Sequence, residues 1–258
     1  AEVQAEAHPA AGDGHTAVQV RPREQQHLAS GPRDAQRLRQ RRALERVGLR
    51  PTVVLGHSLG EISALCAAGL LDAAVAVRAA AIRGRAMADL APADPGAMLA
   101  ISAPASEVEA LLGPDDDIVV ANRNSPRQTV VSGGSAAVES LASRCQARGT
   151  PARRLATSHA FHSPRVSAAA ASLGERLPPL PSASPRCAVI STMTGEPLTE
   201  ADRLSLGLYL ARQARAPVQF EAAIRRAHDL APALWVEVGP GGALTALIGE
   251  ILGPAAAP

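Results

Sequence analysis

From Ala43 onward, apolar residues recur in runs of strand and helix length, whereas residues 1–42 keep neither the helical nor the strand period. That leader is rich in His, Gln, Arg, Pro and Gly and reads as poorly packed chain. After a short helix end at Ala43–Val47 and a stop at Gly48, an apolar strand at Thr52–Leu55 runs into Gly56-His57-Ser58-Leu59-Gly60. Helices follow over Glu61–Gly69 and Ala73–Leu90, the second capped by Asp72 and closed by Pro92 and Pro95. Between Gly96 and about Ala156 the pattern predicts strand Ala97–Ser102, helix Ala105–Leu112, strands Ile118–Ala121 and Gln128–Ser132, helix Ala136–Arg148 and strand Ala152–Ala156. That βαββαβ order is ferredoxin-like. Asn122-Arg123-Asn124-Ser125-Pro126 carries turn residues and predicts a loop between the two central strands. Beyond it the expected elements are helix Val166–Leu177, a Pro-rich connection over 178–185, strand Ala188–Ser191 and helices Leu206–Arg215 and Phe220–Leu230. A strand at Leu234–Val238 then leads through Gly239-Pro240-Gly241-Gly242 into a last helix. The whole predicts an α/β protein: a leader (1–42), a large subdomain (43–95 and 157–258), and an inserted ferredoxin-like subdomain (96–156).

Composition narrows the chemistry. With 258 residues and 47% hydrophobic content the chain can bury a sizeable core. All 26 basic residues are arginine, which excludes Schiff-base, P-loop and kinase-type lysine chemistry. The net charge of +2 is spread along the chain and aromatics amount to 2%, so neither a basic stripe nor a base-stacking platform points to nucleic acid. Cys66, Cys145 and Cys187 lack disulfide or zinc spacing and fit a reducing cytoplasm. No apolar run reaches the ~20 residues that span a bilayer, and a signal-peptide order is absent, so no membrane partner is expected.

The stretch from Gly56 to Gly60, between strand and helix, has the layout of a nucleophile elbow, with Ser58 as nucleophile. Both glycines are expected to relieve collisions in so tight a turn. The Leu59 N–H, at the helix start, is the expected oxyanion donor. Ser58 requires a base, and histidine is the usual one. His8, His15 and His27 fall in the leader, His57 points away across the elbow, and His228 sits on a helix among arginines, which leaves His159 and His162. Arg83, on the helix after the elbow helix, offers bidentate donors that match a carboxylate.

Gly56-His57-Ser58-Leu59-Gly60-Glu61, Arg83, Asn122 to Pro126, His159-Ala160-Phe161-His162-Ser163-Pro164, Pro217-Val218-Gln219-Phe220 and Glu237-Val238-Gly239-Pro240-Gly241 occur in one order. Collinear from about Ala43 to about Leu252, they resemble malonyl-CoA:acyl-carrier-protein acyltransferases, above all the acyltransferase domains of modular polyketide synthases. The resemblance implies an α/β-hydrolase-like large subdomain with the ferredoxin-like one inserted. It implies ping-pong transfer of an acyl group from coenzyme A to the phosphopantetheine thiol of an acyl carrier protein, beside a neighbouring ketosynthase and other synthase domains. It assigns Ser58 as the acylated nucleophile, His162 as its base and acid, and Arg83 as the clamp on the malonyl carboxylate. A backbone carbonyl at Gln219 is expected to orient the histidine. His57, Asn124, His159, Phe161 and Met87 are expected around the substrate, Phe161 narrowing the pocket as in malonyl-selective members. No permanently bound cofactor or metal is implied, coenzyme A entering as the substrate thioester.

The family's early Gly-Gln-Gly motif, which completes the oxyanion hole, is absent from residues 1–55, so the expectation is a copy truncated or frame-shifted before Ala43. The alternatives are a serine hydrolase or thioesterase, for which Asp115, Asp116 and Asp117 are poor triad carboxylates, and a catalytically crippled remnant.

Overall fold

The computed structural model describes residue 40 and residues 43–253, except 179, 181, 182, 233 and 240. The leader reading therefore falls almost wholly outside the described residues. Residues 43–46 are helical. Val53–Val54 is a short strand (β1), followed by helices α1 (Gly60–Ala67) and α2 (Ala73–Ala88). Asp72 caps α2 as expected, its carboxylate accepting from the Val75 N–H at 2.8 Å. The buried face of α2 includes Ala76, Ala79, Ala80 and Ala86, small side chains that let neighbouring helices approach closely, beside Arg83 and Met87.

The inserted lobe contains β2 (Ala97–Ile101), α3 (Ala105–Glu109), β3 (Ile118–Ser125), β4 (Gln128–Gly133), α4 (Ser135–Ala147) and β5 (Ala152–Arg154). Its sheet has the order β3-β4-β2-β5 with every pair antiparallel, the ferredoxin-like topology. Leu99, Ile101, Val131, Val138 and Leu141 form its own core.

A single 3₁₀ turn (Pro164–Val166) returns the chain to the large lobe through α5 (Ser167–Arg176), β6 (Ala188–Val189), α6 (Glu200–Leu204), α7 (Leu206–Arg215), α8 (Phe220–His228) and α9 (Ala243–Leu252). β6 pairs in parallel with β1, Val53 beside Ala188. Leu65, Leu70, Leu173, Leu206, Tyr209 and Leu210 fill the core between α1, α2, α5 and α7. The architecture is thus the α/β-hydrolase-like lobe with a ferredoxin-like insertion. No described helix is long and apolar enough to cross a membrane.

Two expectations are corrected. Asn122 to Ser125 is not a loop but the second half of β3, kept in the sheet by register shifts around Ala121 and Asn124. Its outer edge finds a partner remote in sequence: Arg123 N–H donates to the Val218 carbonyl and Val218 N–H to that of Ala121, both at 2.8 Å. Leu234 to Val238 is not a strand, since no described strand lies alongside. Glu237 instead turns its carboxylate onto the Leu244 and Thr245 amides, at 3.3 and 2.8 Å, capping α9. Helix α6, which the pattern did not predict, starts with a capping box of Thr199 and Asp202.

Candidate active site

The elbow forms where β1 ends and α1 begins. Ser58 takes a left-handed backbone, φ 52°, which lifts its side chain off the turn. The two glycines are not equivalent, contrary to expectation. A Cβ on Gly56 would lie 2.2 Å from both the carbonyl carbon and the oxygen of Gly60, whereas one on Gly60 would meet nothing within 4 Å. Only Gly56 is sterically obligatory, because the chain doubles back over it.

Of the two candidate bases, His162 meets the serine: its Nε2 lies 2.7 Å from Ser58 Oγ. Its Nδ1 lies 2.7 Å from the Ala216 carbonyl oxygen. A carbonyl only accepts, so Nδ1 carries the proton, Nε2 presents its lone pair, and Ser58 donates. The orienting carbonyl belongs to Ala216 rather than Gln219. Helix α7 ends at Arg215, and Ala216, at ψ 150°, turns its carbonyl out of the helix. The Gln219 carbonyl is already committed to the Ala223 N–H as α8 begins. Burial holds the His162 imidazole down to about 3, with the Arg83 charge adding to it, so the ring is neutral at physiological pH.

Arg83 is buried on α2, with Nη2 3.2 Å from Ser58 Oγ and Nη1 donating to Gln213 Oε1 at 2.7 Å. One hydroxyl thus faces both a base and a guanidinium. Among the described residues, nothing accepts a hydrogen bond from the Leu59 N–H, which opens α1 beside Ser58. His57 is drawn to the inserted lobe, its Nε2 2.8 Å from Asn124 Oδ1, while Asn124 Nδ2 donates to Gln128 Oε1 at 2.8 Å. Burial lowers the His57 pKa as well. His159 contacts Ser158 Oγ at 3.0 Å and tilts against Phe161, ring centroids 6.0 Å apart. Phe161 packs against clusters of both lobes, and Met87 is buried in the large-lobe core. Asp116 and Asp117 are engaged with Arg144 and Arg165 in the inserted lobe and its junction.

Two residues that sequence reasoning passed over support this arrangement. Gln213 is 1% exposed on the apolar stripe of α7, and a lone amide among Tyr209, Leu210 and Ala214 was the available signal. Glu61 is fully buried beneath the elbow, accepting from the Tyr209 hydroxyl and the Thr192 N–H. Thr192 Oγ1 lies 3.0 Å from the Gly56 carbonyl and 3.2 Å from Glu61 Oε2. Burial raises the Glu61 pKa above its ordinary value, while the hydrogen bonds from Tyr209 and Thr192 oppose that shift.

The site thus joins an elbow serine, a histidine oriented by a backbone carbonyl in place of a carboxylate, and an arginine on the same hydroxyl. The acyl transferase domain model matches residues 39–253, and the chain belongs to that family. Over 212 residues it is 42% identical to polyketide synthase GfsA of Streptomyces halstedii, covering 82% of this chain and 3% of that protein. The acyltransferase domain of the iterative polyketide synthase in enediyne biosynthesis superposes with TM-score 0.79 at 38% identity, over 88% of this chain and 59% of that one. The malonyl CoA-acyl carrier protein transacylase from Clostridium perfringens gives TM-score 0.80 at 27% identity, over 87% and 72%. The chain therefore spans a small part of the synthase it matches.

Proposed function

We propose that the chain transfers a malonyl group from malonyl-CoA to the phosphopantetheine thiol of an acyl carrier protein through an ester on Ser58. The observation that carries this reading is the convergence of His162 Nε2 and Arg83 Nη2 on Ser58 Oγ, at 2.7 and 3.2 Å. Arg83 pairs with the free malonyl carboxylate and thereby orients the thioester carbonyl toward the serine. Ser58 Oγ bonds to that carbonyl carbon as its proton passes to His162 Nε2, and the Leu59 N–H donates to the oxyanion. The carbon–sulfur bond then breaks and His162 returns the proton to the departing coenzyme A thiolate. In the second half the carrier thiol gives its proton to His162, its sulfur bonds to the acyl carbon, and Ser58 leaves as the hydroxyl. His57, Asn124, His159 and Phe161 shape the seam around the acyl group.

The likeness to polyketide synthase acyltransferases supports a carrier protein and neighbouring synthase domains such as a ketosynthase as partners in the cytoplasm. The test is intact-protein mass spectrometry after mixing with malonyl-CoA, beside methylmalonyl-CoA and Ser58→Ala. A malonyl adduct on the wild type alone supports the reading. No adduct on folded protein overturns it, and an adduct lost to water faster than to carrier points to a thioesterase.

A further inference from the structure

Helix α7 turns one stripe toward the elbow. Tyr209 reaches Glu61, Gln213 reaches Arg83 and the Ser58 backbone, and the Ala216 carbonyl at the helix end receives His162. These three positions follow the i, i+4, i+7 spacing of one helical face. A single rigid element thus registers the elbow helix, the arginine and the base.

Gln213 is the member whose chemistry bears on the acyl group. Its Oε1 accepts from Arg83 Nη1 at 2.7 Å, and its Nε2 donates to the Ser58 carbonyl at 3.0 Å. The orientation of the amide is not arbitrary. A guanidinium only donates and a carbonyl only accepts, so the flipped amide would lose both bonds. An amide also steers Arg83 without taking up its charge. A carboxylate at 213 would form an internal ion pair in the place where an acyl carboxylate must compete.

Resting on the malonyl reading above, we propose that Gln213 is a positioning residue that sets acyl-group selection. It holds the Arg83 guanidinium against the elbow, beside the Ser58 hydroxyl, with a neutral amide. The amide thereby separates the two tasks of Arg83, being fixed in place and remaining a cation.

The test compares single-turnover loading of Ser58 by malonyl-CoA and acetyl-CoA in the wild type, Gln213→Met and Gln213→Glu. A neutral fluorophosphonate reports the Ser58–His162 pair independently of Arg83. Gln213→Met keeps the volume and removes both hydrogen bonds, and its malonyl loading is expected to fall roughly 10- to 100-fold, a loss of one oriented charge contact, with acetyl loading much less affected. In Gln213→Glu the malonyl-to-acetyl ratio is expected to fall further, while fluorophosphonate still labels the serine. A ratio within about threefold of wild type in both variants overturns the proposal, being below the ~10-fold that one methylene discriminates. Parallel loss of malonyl, acetyl and fluorophosphonate reactions also overturns it, since Gln213 would then hold the elbow without choosing the acyl group. A wild type that reacts with fluorophosphonate but not with malonyl-CoA sinks the function reading itself, and is seen without any variant.

Discussion

Ser58 and His162, whose side chains meet at 2.7 Å, both sit in left-handed backbone, at φ 52° and 56°. Left-handed conformation costs a side-chain-bearing residue of order 1–3 kcal/mol, and here it recurs at both partners of one hydrogen bond. The fold holds the two strained positions from opposite sides, through the α1 network on one and the Ala216 carbonyl on the other. Relaxing either backbone would part the oxygen from the nitrogen.

Replacing the base tests that pairing directly. His162→Ala is expected to slow acylation by ~100- to 10,000-fold, the usual worth of a positioned base, with little change in affinity for the thioester. Quenched-flow loading read by mass spectrometry checks it. Loading within about tenfold of wild type would mean that another group takes the proton.

The pH dependence follows from the direction of the His162 shift. Its imidazole is held to about 3 against an ordinary 6.5, so the base stays neutral well below pH 6.5. Acylation by an uncharged serine reagent should therefore show no inflection near pH 6.5, and an inflection there would contradict the buried, neutral ring. Folding carries the matching cost. The unfolded chain gains this proton near 6.5 and the folded one does not until about 3, so stability falls as pH drops through that window, as urea titrations would show.

Glu61 predicts the opposite slope. Its folded pKa is raised above 4.5, so its contribution is fully present below that value and is lost as pH rises through the folded value. Glu61→Gln has similar shape and no titrating proton, and should remove this loss. Glu61→Ala removes the acceptor of the Thr192 N–H and one partner of the Tyr209 hydroxyl, and should cost about 1–3 kcal/mol in denaturant unfolding. Equal pH profiles for wild type and Glu61→Gln would refute the raised Glu61 pKa.

The glycine pair yields a contrast that needs no substrate. Gly60→Ala should be tolerated within about 0.5 kcal/mol or stabilise α1, because alanine favours helix and the space is open. Gly56→Ala should leave little folded protein, since the added methyl would press on backbone only 2.2 Å away. Side-by-side thermal melts decide between this and an elbow that relaxes around either methyl.

Much of this site could be read from the chain because its chemistry is local in sequence. The strand, glycines and helix around Ser58 announce the elbow without reference to anything distant. The order of strands and helices likewise specified the inserted lobe. What escaped notice depends on partners far away. Asn122 to Ser125 has turn-forming residues, yet Val218 and β4 supply the ladder that makes it a strand. The carbonyl on His162 could not be told from composition, because any residue near the end of α7 offers one and only the break at Ala216 aims it. Gln213 was hidden for the same reason, its partners lying 130 and 155 residues away.

Those long separations impose an order on biosynthesis. The Ser58–His162 bond spans 104 residues and the Thr192 prop on Gly56 spans 136, whereas every strand of the inserted lobe lies between Ala97 and Arg154. As the ribosome delivers the chain, the inserted lobe has all its strands before His162 has emerged. The elbow waits unpropped until Thr192 arrives, and the ring of His162 is oriented only when Ala216 follows α7, so the inserted lobe can fold before the Ser58–His162 pair is in place.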